Sequence, residues 1–438
     1  MTTWSDPLLE PSTITSGGDE YLIYVCDALM GQGKSSAAIK YMNEHSDSKF
    51  IYISPYLDES ARIKSGCPDL DFIEPGRLSE YNGSKLEHTF ALIEEGRNIA
   101  TTHQAFKNYT EETLAAIRRH HYTMIIDESL DILETCHIDE GDMKLLLDAN
   151  YISFDGTRFS LENSDYNGRA FRDIFWYLRS RHITQIESPE GGNKLFYWVL
   201  SPELLMAFDD VYILTYLFEG QSLHSFMKIY DIGYKHIGVK RDGDVYEFCD
   251  KPGNKPEYAQ HIRDMIEVVE DEKLNSIGDD ETALSKSWFK KNSGTAVKQL
   301  KGNIYNVFRN IWNDSEAGER MWSTFKSSKE ALKGKGYTNG FGVLNLKSSN
   351  KYRNRKYLVY ACNIYMNVAE KTFYEKNGIS VNDELYALSI MLQWIWRSAI
   401  RDGQKIYIYL PSSRMRRILY NWMDSLTEGG GDVASEDM

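Results

Sequence analysis

"CDALMGQGKSS", residues 26–36, follows the apolar run "YLIYVC" (21–26) and leads into "AAIKYMNEH" (37–45). This order of strand, glycine loop and helix decides how the rest of the chain is read. From Ala28 to Ser35 the spacing fits [AG]-x-x-x-x-G-K-[ST]. In that pattern Gly31 and Gly33 let backbone N–H groups curl around a phosphate, and the helix that follows aims its positive end at it. Lys34 would reach the β- and γ-phosphates, and Ser35 would ligate Mg²⁺. Ala28, Met30, Gly31, Gln32, Gly33, Lys34, Ser35 and Ser36 are the expected nucleotide-cradling residues.

Outward from the loop, short apolar runs alternate with helical patterns. "KFIYISP" (49–55), "RNIATT" (97–102), "YTMIID" (122–127) and "VYILTY" (211–216) read as strands buried on both faces, while "EETLAAIRRHH" reads as a helix between them. That alternation predicts an α/β fold with parallel strands. Further on, "ERMWSTFK", "KYLVYACN" and "QKIYIYLP" supply strands for a second α/β unit. The rhythm breaks at 138–206, an expected insertion, and again at 240–300, an acidic, weakly patterned variable segment. Residues 1–19 read as a flexible lead-in and 426–438 as a disordered acidic tail.

The end of "YTMIIDESL" places Asp127 and Glu128 beyond an apolar strand. Asp127 would hold Mg²⁺ through water, and Glu128 would orient and deprotonate an attacking water, which favours hydrolysis over transfer to a small molecule. Far downstream, in "LSIMLQWIWRSAIRDGQ", Gln393, Arg397 and Arg401 recur at four-residue intervals. On a continuous helix that spacing puts all three on one face, where arginines can neutralise charge on a transferring γ-phosphoryl.

Together these segments resemble superfamily 2 helicases of the DExx type. "ALMGQGKS" is similar to their motif I, "IYISPYLDESARI" to motif Ia, "NIATTHQAF" to the segment between Ia and II, "IIDESL" to motif II and "QWIWRSAIR" to motif VI. In flavour the match is to compact bacteriophage helicases, distantly like the herpesvirus origin-binding protein. It departs from true DEAD-box proteins because the adenine-reading glutamine motif is missing. "VYILTY" stands where a Ser/Thr-Ala-Thr motif would be, and Arg401 follows Arg397 by four residues rather than three.

The resemblance implies a P-loop NTPase fold with two tandem RecA-like domains, at 20–220 and 221–425, using ATP and Mg²⁺. Lys34, Asp127, Glu128, Gln393, Arg397 and Arg401 would be its catalytic residues. Single-stranded or forked DNA would be its partner, with replication proteins as further partners and a monomer as the favoured state. Pro55, Tyr56, Arg62, Thr101, Thr102 and His103 match strand-contacting motifs of the first domain. In the second, Lys326, Ser349 and Asn350 stand among Lys333, Lys335, Lys347, Lys351, Arg353 and Arg355. Basic residues Arg179, Arg181 and His182 beside Phe175, Trp176 and Tyr177 read either as a duplex-gripping wedge or as a small satellite core.

The net charge of −14 argues against coating nucleic acid through bulk charge, and leaves room for a local basic channel. Five cysteines scattered singly argue against a zinc site or disulfide framework. Neither a secretory leader nor a membrane-spanning apolar run is read in the chain, so a cytoplasmic location, the host's if viral, is expected. A P-loop switch that remodels or recruits replication proteins, and an RNA helicase, are the competing readings. A packaging ATPase would normally add a nuclease domain, and no convincing one is read.

Overall fold

The computed structural model describes residues 22–56, 58–156, 158–163, 166, 168–179, 183–187, 194–250, 256–292, 294–346 and 351–426. The lead-in 1–19, the tail beyond Leu426, and Arg181, His182, Lys347, Ser349 and Asn350 lie outside the described residues.

The expected runs are strands: β1 (Leu22–Asp27), β2 (Lys49–Ser54), β3 (Ile99–Thr102) and β4 (Tyr122–Asp127). Next come β5 (Leu133–Cys136), β6 (Ile152–Phe154), β7 (Arg158–Leu161), β8 (Ile183–Glu187) and β9 (Lys194–Val199). They are followed by β10 (Asp210–Thr215), β11 (Lys235–Asp242) and β12 (Val245–Cys249). The last four are β13 (Ile266–Val268), β14 (Arg320–Ser323), β15 (Tyr357–Tyr360) and β16 (Ile406–Tyr409).

The first sheet runs β12-β11-β1-β10-β4-β2-β3, parallel except for the β11–β12 hairpin. Its central strands are apolar throughout because each face has its own core. Val25, Ile51, Ile53, Met124, Ile126 and Ile213 enter one, and Cys26, Phe50, Tyr52, Ile125, Tyr212 and Leu214 the other. The sequence reading ended this unit at residue 220, yet its sheet takes strands up to Cys249. β12 is the edge strand and β11 stands next to it, and their half-exposed residues blur the apolar alternation.

The segment read as an insertion forms a separate antiparallel sheet, β5-β9-β8-β7-β6. Its Phe159, Ile183 and Trp198 join the core of Ile51 and Ile126 rather than making a satellite. On the helix Arg172–Arg179, Phe175 points into that core while Trp176 is 44% exposed. Buried Lys107 pins the junction, pairing with Glu134 at 3.5 Å and lying over the Trp198 ring at 5.0 Å.

The second parallel sheet runs β13-β16-β15-β14. Leu358, Tyr360, Ile406 and Ile408 face one core; Val359, Ala361 and Tyr409 face the other. The molecule is thus an α/β protein with two RecA-like units built on parallel sheets. Among the described residues, no helix is long and apolar enough to cross a membrane.

Candidate active site

Parallel strands place their C-terminal ends, and the loops after them, on one edge of the sheet, which is where ligands collect. The loop after β1 is the glycine-rich one. Gly31 and Gly33 hold φ of 84° and 85°, the left-handed region that side chains disfavour, and Gly33 caps the helix Lys34–Glu44. That backbone is a nest of the kind that cradles anions. Lys34 turns back onto its own loop, donating to the carbonyls of Ala28 at 2.5 Å and Leu29 at 3.2 Å. Burial lowers its ammonium's pKa, opposed by Cys26, Asp27, Asp127 and Glu128.

At the end of β4, Asp127 Oδ1 accepts from Ser35 Oγ at 3.5 Å. Burial first, then the charges of Glu128 and Glu59, push the Asp127 carboxyl up to about 6. A divalent cation there would reverse that by favouring the carboxylate. Glu128 sits at φ 63°, a backbone conformation costly for a non-glycine residue and concentrated at functional sites. Its Oε1 accepts from Arg397 Nη2, while its Oε2 is buried without a hydrogen-bond partner. The orphaned oxygen, the Ser35–Asp127 pair and the glycine nest together fit a hydrated Mg²⁺–triphosphate. Among the described residues, no group of three or more His, Cys, Asp or Glu would hold a metal unaided.

Arg397 comes from the second unit. Its Nε donates to the Leu346 carbonyl at 3.1 Å, and its side chain is only 11% exposed. The expected single helix face is corrected here: the helix is Asp383–Ile395, and Arg397 and Arg401 lie beyond it, Arg401 in the short turn Ala399–Asp402. The helix stops because Ser398 N–H bonds Ile395 three residues back, its buried hydroxyl caps the same carbonyl, and the Arg355 carbonyl captures Ala399 N–H. The turn still delivers the residues. Gln393, Arg397 and Arg401 line one cavity of about 310 Å³ with Met30, Gly31, Gly33, Lys34, Ser35, Ser36, Asp127 and Glu128. Burial and the neighbouring Arg397 lower the Arg401 pKa.

Ala28 supplies a carbonyl to Lys34, and Gln32 N–H bonds the Leu29 carbonyl within the loop. Arg62, expected on a nucleic-acid track, instead lines the cleft, donating to Ser36 Oγ at 3.3 Å and pairing with Glu59 at 3.5 Å. Thr101 is buried, Thr102 caps a helix by accepting from Ala105 N–H, and buried His103 bonds the Asp127 carbonyl at 3.0 Å. These three are therefore built into the scaffold beneath the site. Of the first-unit set, Tyr56 stays 45% exposed beside half-buried Pro55.

In the second unit Lys326 is exposed, but Lys333 pairs with Glu330, Arg353 with Asp402 at 2.6 Å, and Arg355 turns inward onto the carbonyls of Ala317 and Arg320. Sequence reading missed Glu59 and Tyr246, which also line the cavity.

A family model described as the YonV C-terminal Rossmann-like domain matches residues 260–423. The SPbeta prophage-derived protein YonV of Bacillus subtilis (strain 168) is 37% identical over 410 residues, covering 92% of this chain and 99% of that protein. A solved structure described as S. tokodaii Xpd4 aligns over 92% of this chain and 94% of its own, with a TM-score of 0.48 and 13% identity. Another, described as XPD helicase, aligns over 93% and 94% with a TM-score of 0.44 and 12% identity.

Proposed function

The chain belongs to the YonV family, and from its two-sided cleft we propose that it is an ATP-dependent DNA helicase or translocase of the superfamily 2 type. Viral DNA replication, recombination or repair is the proposed setting, in keeping with a prophage-derived relative. The observation that carries the reading is the Arg397–Glu128 contact, in which a cation on one sheet's unit reaches a carboxylate on the other's beside the phosphate nest.

In this reading Gly31 and Gly33 present backbone N–H groups to the phosphates, and Lys34 leaves its own carbonyls to neutralise the β- and γ-oxygens. Ser35 and Asp127 would hold Mg²⁺, which neutralises phosphate charge when bound. Glu128 accepts the proton of the attacking water. Gln393 senses the water or γ-phosphate, and Arg397 and Arg401 stabilise charge developing on the γ-phosphoryl. Hydrolysis then alters how the two units grip each other, and a single strand passes over both, near Tyr56 in the first and Lys326 in the second.

The test is ATP turnover by wild type and Lys34→Ala with no polynucleotide, single-stranded DNA, duplex, fork and RNA. The motor reading expects strong stimulation by single-stranded or forked DNA and its loss in the variant. Hydrolysis that is absent, or equal under all five conditions, sinks it, and equal hydrolysis favours the switch. Stimulation by RNA alone favours an RNA helicase.

A further inference from the structure

We infer that Tyr246 is the base-binding platform of the nucleotide site, so that the ligand is recognised as a nucleoside triphosphate and not merely as a polyphosphate. The inference rests on the reading of the cleft as a triphosphate site.

The catalytic carboxylates fix one end of the ligand. Asp127 and Glu128 end β4, which is separated from β1 by β10, so the γ-phosphate lies toward that side of the sheet. A triphosphate seated on the loop after β1 must then run its other end the opposite way, toward β11 and β12. Here the hairpin brings an aromatic ring. Tyr246 on β12 lines the cleft, and its Cδ1, Cε1 and Cγ would lie 2.1, 2.4 and 2.6 Å from a Cβ placed on Gly33. The ring thus rests one edge on the glycine that caps the cradle's helix.

Arg241, the cross-strand partner of Tyr246, holds its guanidinium carbon 5.4 Å from the ring centroid. Arg241 is exposed, so a purine can displace it or lie against it at little cost in desolvation. Tyr258 makes a different contact: its hydroxyl donates to the Met30 carbonyl at 2.8 Å and braces the loop. A ring at this side of the cradle offers a face on which a base can stack. Stacking tolerates any base but favours the larger π-face of a purine.

The experiment compares equilibrium binding of ATP and of inorganic tripolyphosphate, both with Mg²⁺, to wild type, Tyr246→Ala, Tyr246→Trp and Tyr258→Phe. Base–aromatic stacking predicts that Tyr246→Ala weakens ATP about tenfold or more while leaving tripolyphosphate unchanged. Tyr246→Trp should retain ATP affinity, and Tyr258→Phe should affect the two ligands equally. Unchanged tripolyphosphate binding also certifies that the alanine variant is folded. Equal weakening of both ligands in Tyr246→Ala would make the ring a loop brace and overturn the inference, as would unchanged ATP affinity. Wild type binding neither ligand would overturn the triphosphate reading itself.

Discussion

Replacing Arg397 by Gln separates the split site from a coincidence of packing. The Arg397 and Glu128 side chains are 11% and 21% exposed, and Glu128 Oε2 already lacks a hydrogen-bond partner. Removing the guanidinium strips Glu128 Oε1 of its cation. For a buried pair such a loss costs about 3–5 kcal/mol, and the residual exposure of Glu128 moves it toward the lower bound. Gln keeps much of the stem, so the variant should fold with a lowered melting point.

The catalytic effect is larger and of another kind. An arginine that stabilises the transferring γ-phosphoryl is worth about 10³-fold or more, or about 4 kcal/mol at 1.36 kcal/mol per tenfold. Single-turnover hydrolysis with saturating polynucleotide, beside an equilibrium ATP titration, reads the two effects apart. Arg397→Gln and Arg401→Ala are each expected to lose about 10³ in turnover with ATP affinity changed only a few-fold. The double variant Arg397→Gln/Glu128→Gln should lose little more than either single, because residues acting as a unit are non-additive. Turnover within tenfold of wild type in both arginine variants, or affinity falling in step with turnover, refutes the reasoning.

Two further expectations concern stability. A Cβ on Gly278 would lie 1.8 Å from the Pro411 carbonyl oxygen, backbone that cannot rotate away, so Gly278→Ala should destabilise the second unit by about 1–3 kcal/mol. An unshifted denaturant midpoint would show that the two segments separate freely. Burial lowers buried His224 to about 4, with Lys228 adding to the effect, so it stays neutral in the fold while the unfolded chain takes up a proton near pH 6.5. Stability should therefore fall as pH drops from about 6.5 to about 4, by up to about 1.4 kcal/mol per unit more in wild type than in His224→Asn. Parallel stability profiles for the two proteins would contradict this.

What the sequence made legible was local. The β1 loop, the carboxylates ending β4 and the apolar central strands each carry their signal within a few residues, because a nest needs closely spaced glycines and a doubly covered strand needs a continuous apolar run. Features set by distant partners were not legible. β11 and β12 show weak burial patterns because they stand next to and at the sheet's edge, and β13 is three residues long. The apolar spacing continues past Ile395 through Ala399 and Ile400, so the end of the helix shows only in the hydrogen bonds, those of Ser398 to the Ile395 carbonyl and of Ala399 N–H to the distant Arg355 carbonyl. Arg62 and Tyr246 enter the cleft through elements whose placement no local pattern encodes.

The segment after β10, where the resemblance would have a Ser/Thr-Ala-Thr triplet, is tied by hydrogen bonds to both units. The Thr215 hydroxyl is engaged by Gln221 at 2.7 and 2.9 Å, so it is held within its own unit. The residues that follow bond in two directions, Leu217 and Phe218 within the first unit and Tyr216 across to the second. Asp27, at the end of the strand that carries the phosphate loop, accepts from Leu217 N–H at 2.8 Å and Phe218 N–H at 2.9 Å. Tyr216 accepts from Trp422 Nε1 at 2.8 Å, and Trp422 belongs to the core of the second unit. Asp27 is thus connected to the second unit through the backbone at Leu217 and the side chain of Tyr216. Arg397 makes the return link from the second unit to Glu128. The Tyr216–Trp422 and Arg397–Glu128 contacts lie on different elements, so the cleft is joined to the second unit at two separate points. Tyr216, standing where the triplet would have alanine, thus bridges the two units through its phenol hydroxyl.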